Sequence, residues 1–302
     1  MRLGINSTSE KAGQSLCREK CCTSCQCFDM ALPFSFKAQT IIAEGKTSQI
    51  AVDTIRDWLQ TTSLPLLQDE FIVIFLISSE NKIDKAKQII EAYFRIKNGY
   101  PKIFNNIDLN SEPIKNIQKV AGVCILPNRI DNKSVVVFGK LTDTNYRNVQ
   151  LLPAIKLAIM YIHMVQIDDP PSDIVAVVDM EGVGFMHLTC IKMDLALAYL
   201  KFIQEALPLK IRAAHVLNTN YIFYRGLNLF KRFINSEILK LVHPHPSGMK
   251  LEKFHEECVP ASCLPKEYGG EIPFEQLVSR TQKESKKMQS FLDAEEKFRK
   301  CL

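Results

Sequence analysis

The sequence has no apolar run approaching the ~18–20 residues that a membrane-spanning helix needs; its longest clean run is Phe71 to Ile77. The stretch from Met1 to Lys11 lacks a hydrophobic core segment, so a secretory leader is not expected, and a cytosolic protein peripheral to membranes is the default reading. Lysines and arginines are not gathered into a dense stripe with interleaved aromatics, which argues against nucleic acid as a partner in spite of a net charge of +5. An excess this small suits an anionic membrane surface, where each nearby basic residue contributes ~1 kcal/mol. Internal repeats and low-complexity segments are absent, and 46% hydrophobic residues is ordinary for a soluble globular chain.

Catalytic signatures are missing too. The stretch Gly182-Val183-Gly184-Phe185-Met186-His187 follows a strand but has no third glycine of a dinucleotide loop. Neither a G-x-x-x-x-G-K-S/T phosphate loop nor a G-x-S-x-G nucleophile elbow occurs. Asp179 and Glu181 read as turn and cap residues before they read as an acid/base pair. His243 and His245 share one face of an extended segment, but no carboxylate or thiol is fixed beside them by sequence, so a structural pair is expected in place of a metal site. No enzyme activity, cofactor or metal follows from these residues. An α/β chain whose strand ends hold no polar machinery is expected to enclose something apolar.

Of ten cysteines, Cys17, Cys21, Cys22, Cys25 and Cys27 fall within one short stretch. That crowding, with no histidine close by, fits neither two zinc ligand pairs nor a secreted disulfide framework. Residues 1–46 read as a disordered extension with reduced thiols, acylation of Cys21 and Cys22 being a weaker option; Met30 offers a second starting methionine. From Thr47 to about 105 the pattern is helical, with apolar sets at Ile50, Val52, Ile55, Trp58 and Leu59, then Phe71 to Leu76 behind a capping Asp69, then Ala86 to Ile96. These are expected to be short amphipathic helices. Residues 106–273 alternate strands and helices: strands at Val120–Leu126, Ser134–Phe138, Ile174–Val178 and Ile211–Leu217, helices at about Leu151–Val165, Met193–Leu207 and Tyr221–Phe233. Strand, helix, strand at the spacing of Ile174 to Leu217 predicts a right-handed parallel crossover. The helix from Leu151 is apolar on almost every side and should be buried. The helix from Tyr221 carries Ile222, Phe223, Leu227 and Phe230 on one face, which can close over a core or open to a membrane. Residues 274–302 form a charged helical tail expected to pack back weakly or fray.

Three stretches are familiar: IRDWLQ, DEFIVIFL and KAKQIIEAYFRIKNGYPKIF in the opening helices; VVDMEGVGF, ALPLKIRAAHVLN and LFKRF in the centre; and LPKEYGG near the end. From about Ile50 to Pro273 the sequence resembles the CRAL–TRIO lipid-transfer family. The resemblance implies an α/β fold: a helical N-terminal subdomain, then a mixed β-sheet flanked by helices, holding one lipid behind a mobile lid helix. It implies a monomer that binds a small hydrophobic ligand (retinoid, tocopherol, carotenoid or similar) and exchanges it at membranes without covalent chemistry. A phospholipid or phosphoinositide transporter, or a lipid-sensing module with a protein partner, are the alternatives. Ligand-lining positions fall on Ile174, Val178, Phe185, Tyr199, Phe202, Ile203, Leu207 and Ile211, and the lid on Tyr221, Ile222, Phe223, Leu227 and Phe230. Some members of the family hold a phosphoinositide such as phosphatidylinositol bisphosphate on a basic patch. Lys210 and Arg212 match two of its positions and Lys231 and Arg232 lie near, but Glu237 and Leu241 stand where relatives carry basic residues.

Overall fold

A computed structural model describes residues 31–300; the Cys17–Cys27 cluster and Met30 lie outside the described residues. Six helices come first: α1 (Ala38–Ala43), α2 (Gln49–Gln60), α3 (Asp69–Ser78), α4 (Ile83–Gly99), α5 (Pro101–Phe104) and α6 (Glu112–Val120). A five-stranded sheet follows, β1 (Ala121–Ile130), β2 (Ser134–Leu141), β3 (Asp173–Asp179), β4 (Ile211–Thr219) and β5 (Val242–Pro246). The strands lie side by side in chain order; β1 and β2 are antiparallel and the remaining pairs parallel. The parallel pairs need crossovers, which α7 (Leu151–Gln166), α8 (Met193–Glu205) and α9 (Tyr221–Phe230) with α10 (Ser236–Lys240) supply. Helices α11 (Leu251–Glu257), α12 (Phe274–Ser285) and α13 (Met288–Lys300) close the chain. The expected helical region followed by a mixed, helix-flanked sheet is what the chain forms.

Alternation along each strand divides two cores. Val175 and Val177 of β3 face one, with Phe138, Phe254, Leu264, Tyr268 and Phe274. Ile174 faces the other, which runs through α7, α8 and the N-terminal helices. Within the latter, α3 corrects the amphipathic expectation: every residue from Phe71 to Ser78 is buried, so this helix is wrapped on all sides. Its Phe71 and Phe75 meet the ring of Tyr93 edge-on at 5.5 and 5.6 Å. Gln68, not Asp69, is the cap residue. Ile50, counted on the apolar face of α2, is 80% exposed, while Val52, Ile55 and Leu59 are buried. Packing also begins earlier than residue 47, since Leu32, Phe36 and Ile41 belong to the same core.

The LPKEYGG segment has a physical reason for its residues. The Tyr268 hydroxyl donates to the Asp179 carboxylate at the end of β3, and Asp179 also accepts from Asn218 Nδ2 at 2.8 Å. Burial and the neighbouring carboxylate both push the Tyr268 phenol upward, so it stays a donor. Gly269 sits at φ +97°, and a Cβ on Gly270 would lie 1.7 Å from the Leu264 carbonyl oxygen. Only glycine lets the backbone pass there.

The expectation of a weakly packed tail is overturned. Phe291 and Leu292 of α13 are buried in the helical core, and Glu295 and Arg299 point inward. One oxygen of Glu295 accepts from Lys97 Nζ at 2.7 Å, Tyr93 Oη at 2.5 Å and Arg299 Nε at 2.7 Å. Arg299 also reaches Asn98 Oδ1 at 2.9 Å and the Phe104 carbonyl at 3.0 Å. These charges pair across the fold with residues some 200 positions away, which helical periodicity within the tail does not register. Burial alone would raise the Glu295 carboxyl; the Lys97 and Arg299 charges overcome it and hold the group at about 2. Burial, with the Lys97 charge beside it, holds His163 at about 3. For both groups the unfolded chain binds more protons in acid, so the stability they contribute is lost as pH falls. His163 acts from about 6.5 down toward 3, and Glu295 from about 4.5 down toward 2. The melting midpoint is expected to drop markedly between pH 7 and pH 4, and a His163→Gln variant to lose the upper part of that slope in calorimetry. An unchanged slope would remove His163 from the account.

Candidate functional site

Between α7, α8 and α9 lies a cavity of about 690 Å³, inside the size range of small-molecule sites. Leu151, Ala154, Ile155 and Ala158 of α7 form one wall at spacings of three and four, which helical geometry places on a single face. Ala196, Tyr199, Leu200 and Ile203 of α8 form the second. The third is α9, whose Ile222, Phe223, Gly226, Leu227 and Phe230 point inward. Met180, Val183, His187, Leu188 and Ile191, from the segment after β3, and Ile234 and Val242 complete the lining. A second lobe of about 270 Å³ lies against the sheet, lined by Val123, Val137, Ile174 and Ala176 among others. Ala154, Ala158 and Tyr199 line both lobes and form the partition between them.

The lining is apolar apart from two side chains with polar atoms, Tyr199 and His187. The Gly184 backbone nitrogen lies 3.0 Å from His187 Nδ1. Nδ1 also lies 3.3 Å from the Gly184 carbonyl oxygen, so either ring tautomer fits this contact. Nε2 is sealed from solvent and has no hydrogen-bond partner among the described residues. A buried polar atom left so costs about 1–3 kcal/mol.

The residues expected to line the ligand site are dispersed. Tyr199 and Ile203 line the main cavity, and Ile174 and Tyr199 the second lobe. Phe202 is turned away, its ring 4.9 Å from that of Phe104 in the helical core. Leu207 is buried in that same core and Ile211 packs against it; neither lines the cavity. Val178 is 43% exposed at the end of β3, and Phe185 is 53% exposed. Of the lid set, Ile222, Phe223, Leu227 and Phe230 face the cavity, whereas Tyr221 is 64% exposed. The α7 wall, Met180, Val183, His187, Leu188 and Ile191 after β3, Ile234 and Val242 went unassigned. The α7 residues carried a signal, a helix apolar almost all round, but burial against protein and burial against a cavity read alike.

Only Ile222 of α9 is buried, and Tyr221, Tyr224 and Leu229 are largely exposed on its outer side. Phe185, Met186 and Phe233 expose further apolar surface on the segments flanking the cavity. Among the expected basic residues, Lys210 is paired with Glu80 at 2.7 Å. Arg212 reaches Ser134 Oγ at 3.1 Å and Asp131 at 3.7 Å. Lys231 and Arg232 form the short turn directly after α9, with Arg232 over the Phe233 ring at 4.6 Å. Two of the four basic groups are thus engaged in ion pairs and two stand at the end of the lid. No described helix is long and apolar enough to cross a membrane.

Comparison with known proteins fits this architecture. Residues 44–114 match a family described as Pinta-like, UBA domain, and residues 119–270 match the CRAL/TRIO domain. The alpha-tocopherol transfer protein-like proteins of Homo sapiens and Pongo abelii are each 27% identical to this chain over 208 residues. The Mus musculus counterpart is 25% identical over 209 residues. Each match covers 68% of this chain and 59% of the relative's length. The solved structure of Sfh5 superposes with a TM-score of 0.45 at 16% identity, covering 68% of this chain and 77% of that one. The matched span runs from the start of the sheet to the glycines of the closing segment, and the chain belongs to the CRAL/TRIO family.

Proposed function

We propose that this protein binds one small hydrophobic lipid in the cavity between α7, α8 and α9 and passes it between membranes, with α9 as the moving wall. The supporting observation is the cavity itself: about 690 Å³, apolar, and covered by a helix with a single buried residue. An apolar ligand gains ~0.8 kcal/mol for each methylene taken out of water. In water, the inward face of α9 stays over the cavity because withdrawing it would expose Phe223, Leu227 and Phe230 further. At a bilayer those side chains find hydrocarbon, and the free energy of opening falls. Tyr221, Tyr224, Leu229, Phe185 and Phe233 supply an outer rim of the kind that settles at the headgroup level, and Lys231 and Arg232 supply attraction to anionic lipid. The reading needs no covalent step.

His187 narrows the ligand class. With its ring turned into the cavity, Nε2 is satisfied in either tautomer by a guest with a hydrocarbon body and one hydroxyl or carboxyl end, and a pure hydrocarbon leaves it unpaired. A retinoid or a tocopherol has that form. The pairing of Lys210 and Arg212 with acidic neighbours leaves a dedicated phosphoinositide site without support, so the basic residues are assigned to general membrane attraction. Replacing His187 with Phe keeps the bulk and removes the polar ring nitrogens. Preference for an oxygenated ligand over its hydrocarbon analogue, measured by competition, is expected to fall about tenfold, the equivalent of one ~1.4 kcal/mol hydrogen bond. Unchanged preference would discard the role of His187.

A Cβ placed on Gly226 lies 3.6 Å from Leu188 Cδ2, so a reducible bis-thiol reagent can bridge a Leu188→Cys, Gly226→Cys pair, lid to wall, in a background with serine at Cys17, Cys21, Cys22, Cys25, Cys27 and Cys190. Bridged protein is expected to transfer a fluorescent lipid between vesicles at least tenfold more slowly than the same protein after the bridge is reduced. Equal rates in the two states contradict a moving α9.

A further inference from the structure

We infer that this chain carries a transition-metal site of N₂S type, suited to Zn²⁺, on the face of the sheet away from the lipid cavity. His215 of β4, His245 of β5 and Cys258, directly after α11, each direct one ligand atom to a common point, and these atoms lie within 4.8 Å of one another. His215 Nδ1 and His245 Nε2 are 3.0 Å apart. His215 stands in register with Val177, whose side chain belongs to the core shared with Phe254 and Tyr268. The cluster is therefore separated by the sheet from the cavity between α7, α8 and α9.

The geometry is close to what a metal requires. Tetrahedral zinc, with bonds of about 2.0–2.1 Å to nitrogen and 2.3 Å to sulfur, sets its donors about 3.3–3.6 Å from one another. The observed separations bracket that range, so side-chain shifts of about 1 Å complete the site. The ligands come from three separate segments, and the Phe254 ring packs edge-on against both imidazoles at 5.4 and 5.1 Å, fixing their planes. The two imidazoles share a hydrogen bond across those 3.0 Å, so the ring that donates must shift its proton to its far nitrogen, by way of solvent, for a metal to take both lone pairs. The Cys258 thiol makes no hydrogen bond among the described residues. Binding forms the sulfur–metal bond and releases the thiol proton to solvent. Two imidazoles and a thiolate favour zinc, cobalt or copper over magnesium or calcium, and three protein ligands leave the fourth position to water.

The site has a structural consequence. β5 is a five-residue edge strand with Pro244 and Pro246, which cannot donate to a ladder. A bound metal ties it to β4 and to the segment after α11. Because Val242 of β5 also lines the lipid cavity, the tie steadies that part of the lipid site from behind. Sequence alone places no third ligand near His243 and His245; the fold brings Cys258 to them.

The test is a titration with Co²⁺ alone, under reducing and anaerobic conditions, of the full chain carrying serine at Cys17, Cys21, Cys22, Cys25 and Cys27. The expected result is one Co²⁺ per chain with a near-ultraviolet thiolate-to-cobalt band, displaced by Zn²⁺. Cys258→Ser should abolish the band and weaken binding at least tenfold, as should His245→Ala. Cys258→His should restore one-to-one binding without the sulfur band, which separates ligation from fold loss. No band, or a band that survives Cys258→Ser, overturns the assignment.

Discussion

Replacing Ala158 with Trp is expected to abolish ligand binding while leaving the fold intact. Ala158 lines both lobes of the cavity, so an indole at this position fills the partition and intrudes on each. Excluding about four methylenes of ligand at ~0.8 kcal/mol apiece removes about 3 kcal/mol, a ~100-fold loss of affinity. The void already exists, so the added bulk is not forced into packed protein, and the destabilisation that accompanies overpacking is not expected. The thermal midpoint should hold or rise. Ala154→Phe, one turn earlier on the same wall, should weaken binding in the same direction. Titration of a fluorescent apolar probe, paired with calorimetry, separates the two effects. Full affinity in both variants would place the ligand elsewhere.

The second large effect is on stability. Glu295→Ala removes the shared acceptor of Lys97, Tyr93 and Arg299 and leaves two buried cations unpaired. Breaking a buried pair by removing one partner costs about 3–5 kcal/mol, most of it from the stranded charge. That is a large share of the 5–15 kcal/mol by which a domain is held. Chemical denaturation should show the loss without a change in slope. Glu295→Gln keeps the size and one acceptor and should fall between wild type and Ala. A loss under 1 kcal/mol in both would mean that the tail is peripheral after all. The two variants also dissect the molecule: the first disables the cavity without touching the scaffold, and the second loosens the scaffold without touching the cavity lining.

Local pattern carried much of the architecture. The alternation of Ile174 to Val178 and the spacing of Ile222, Phe223, Leu227 and Phe230 are properties of neighbours in the chain, and the elements form close to where they imply. Helix α8 shows where pattern runs out. Tyr199, Phe202 and Ile203 share a face by spacing, yet a rotation of ~100° per residue is enough to send Phe202 to Phe104 while Tyr199 and Ile203 face the cavity. Apolar side chains look alike whether they meet protein or empty space, so α7 read as core although four of its residues form a cavity wall. Charged residues carry the opposite bias: Glu295 and Arg299 read as solvated because their partners Lys97 and Asn98 lie far off in the chain. The unpaired His187 Nε2 and the meeting of His215, His245 and Cys258 depend on tertiary placement alone.

The most direct check is gentle-ionisation mass spectrometry of the protein isolated from its own source, beside its Ala158→Trp form. The expected spectrum shows one lipid per chain, hydrocarbon-rich with a single oxygenated end, and its disappearance in the Trp form. A chain that carries nothing, or a bound lipid that the substitution leaves in place, would contradict a guest housed between α7, α8 and α9.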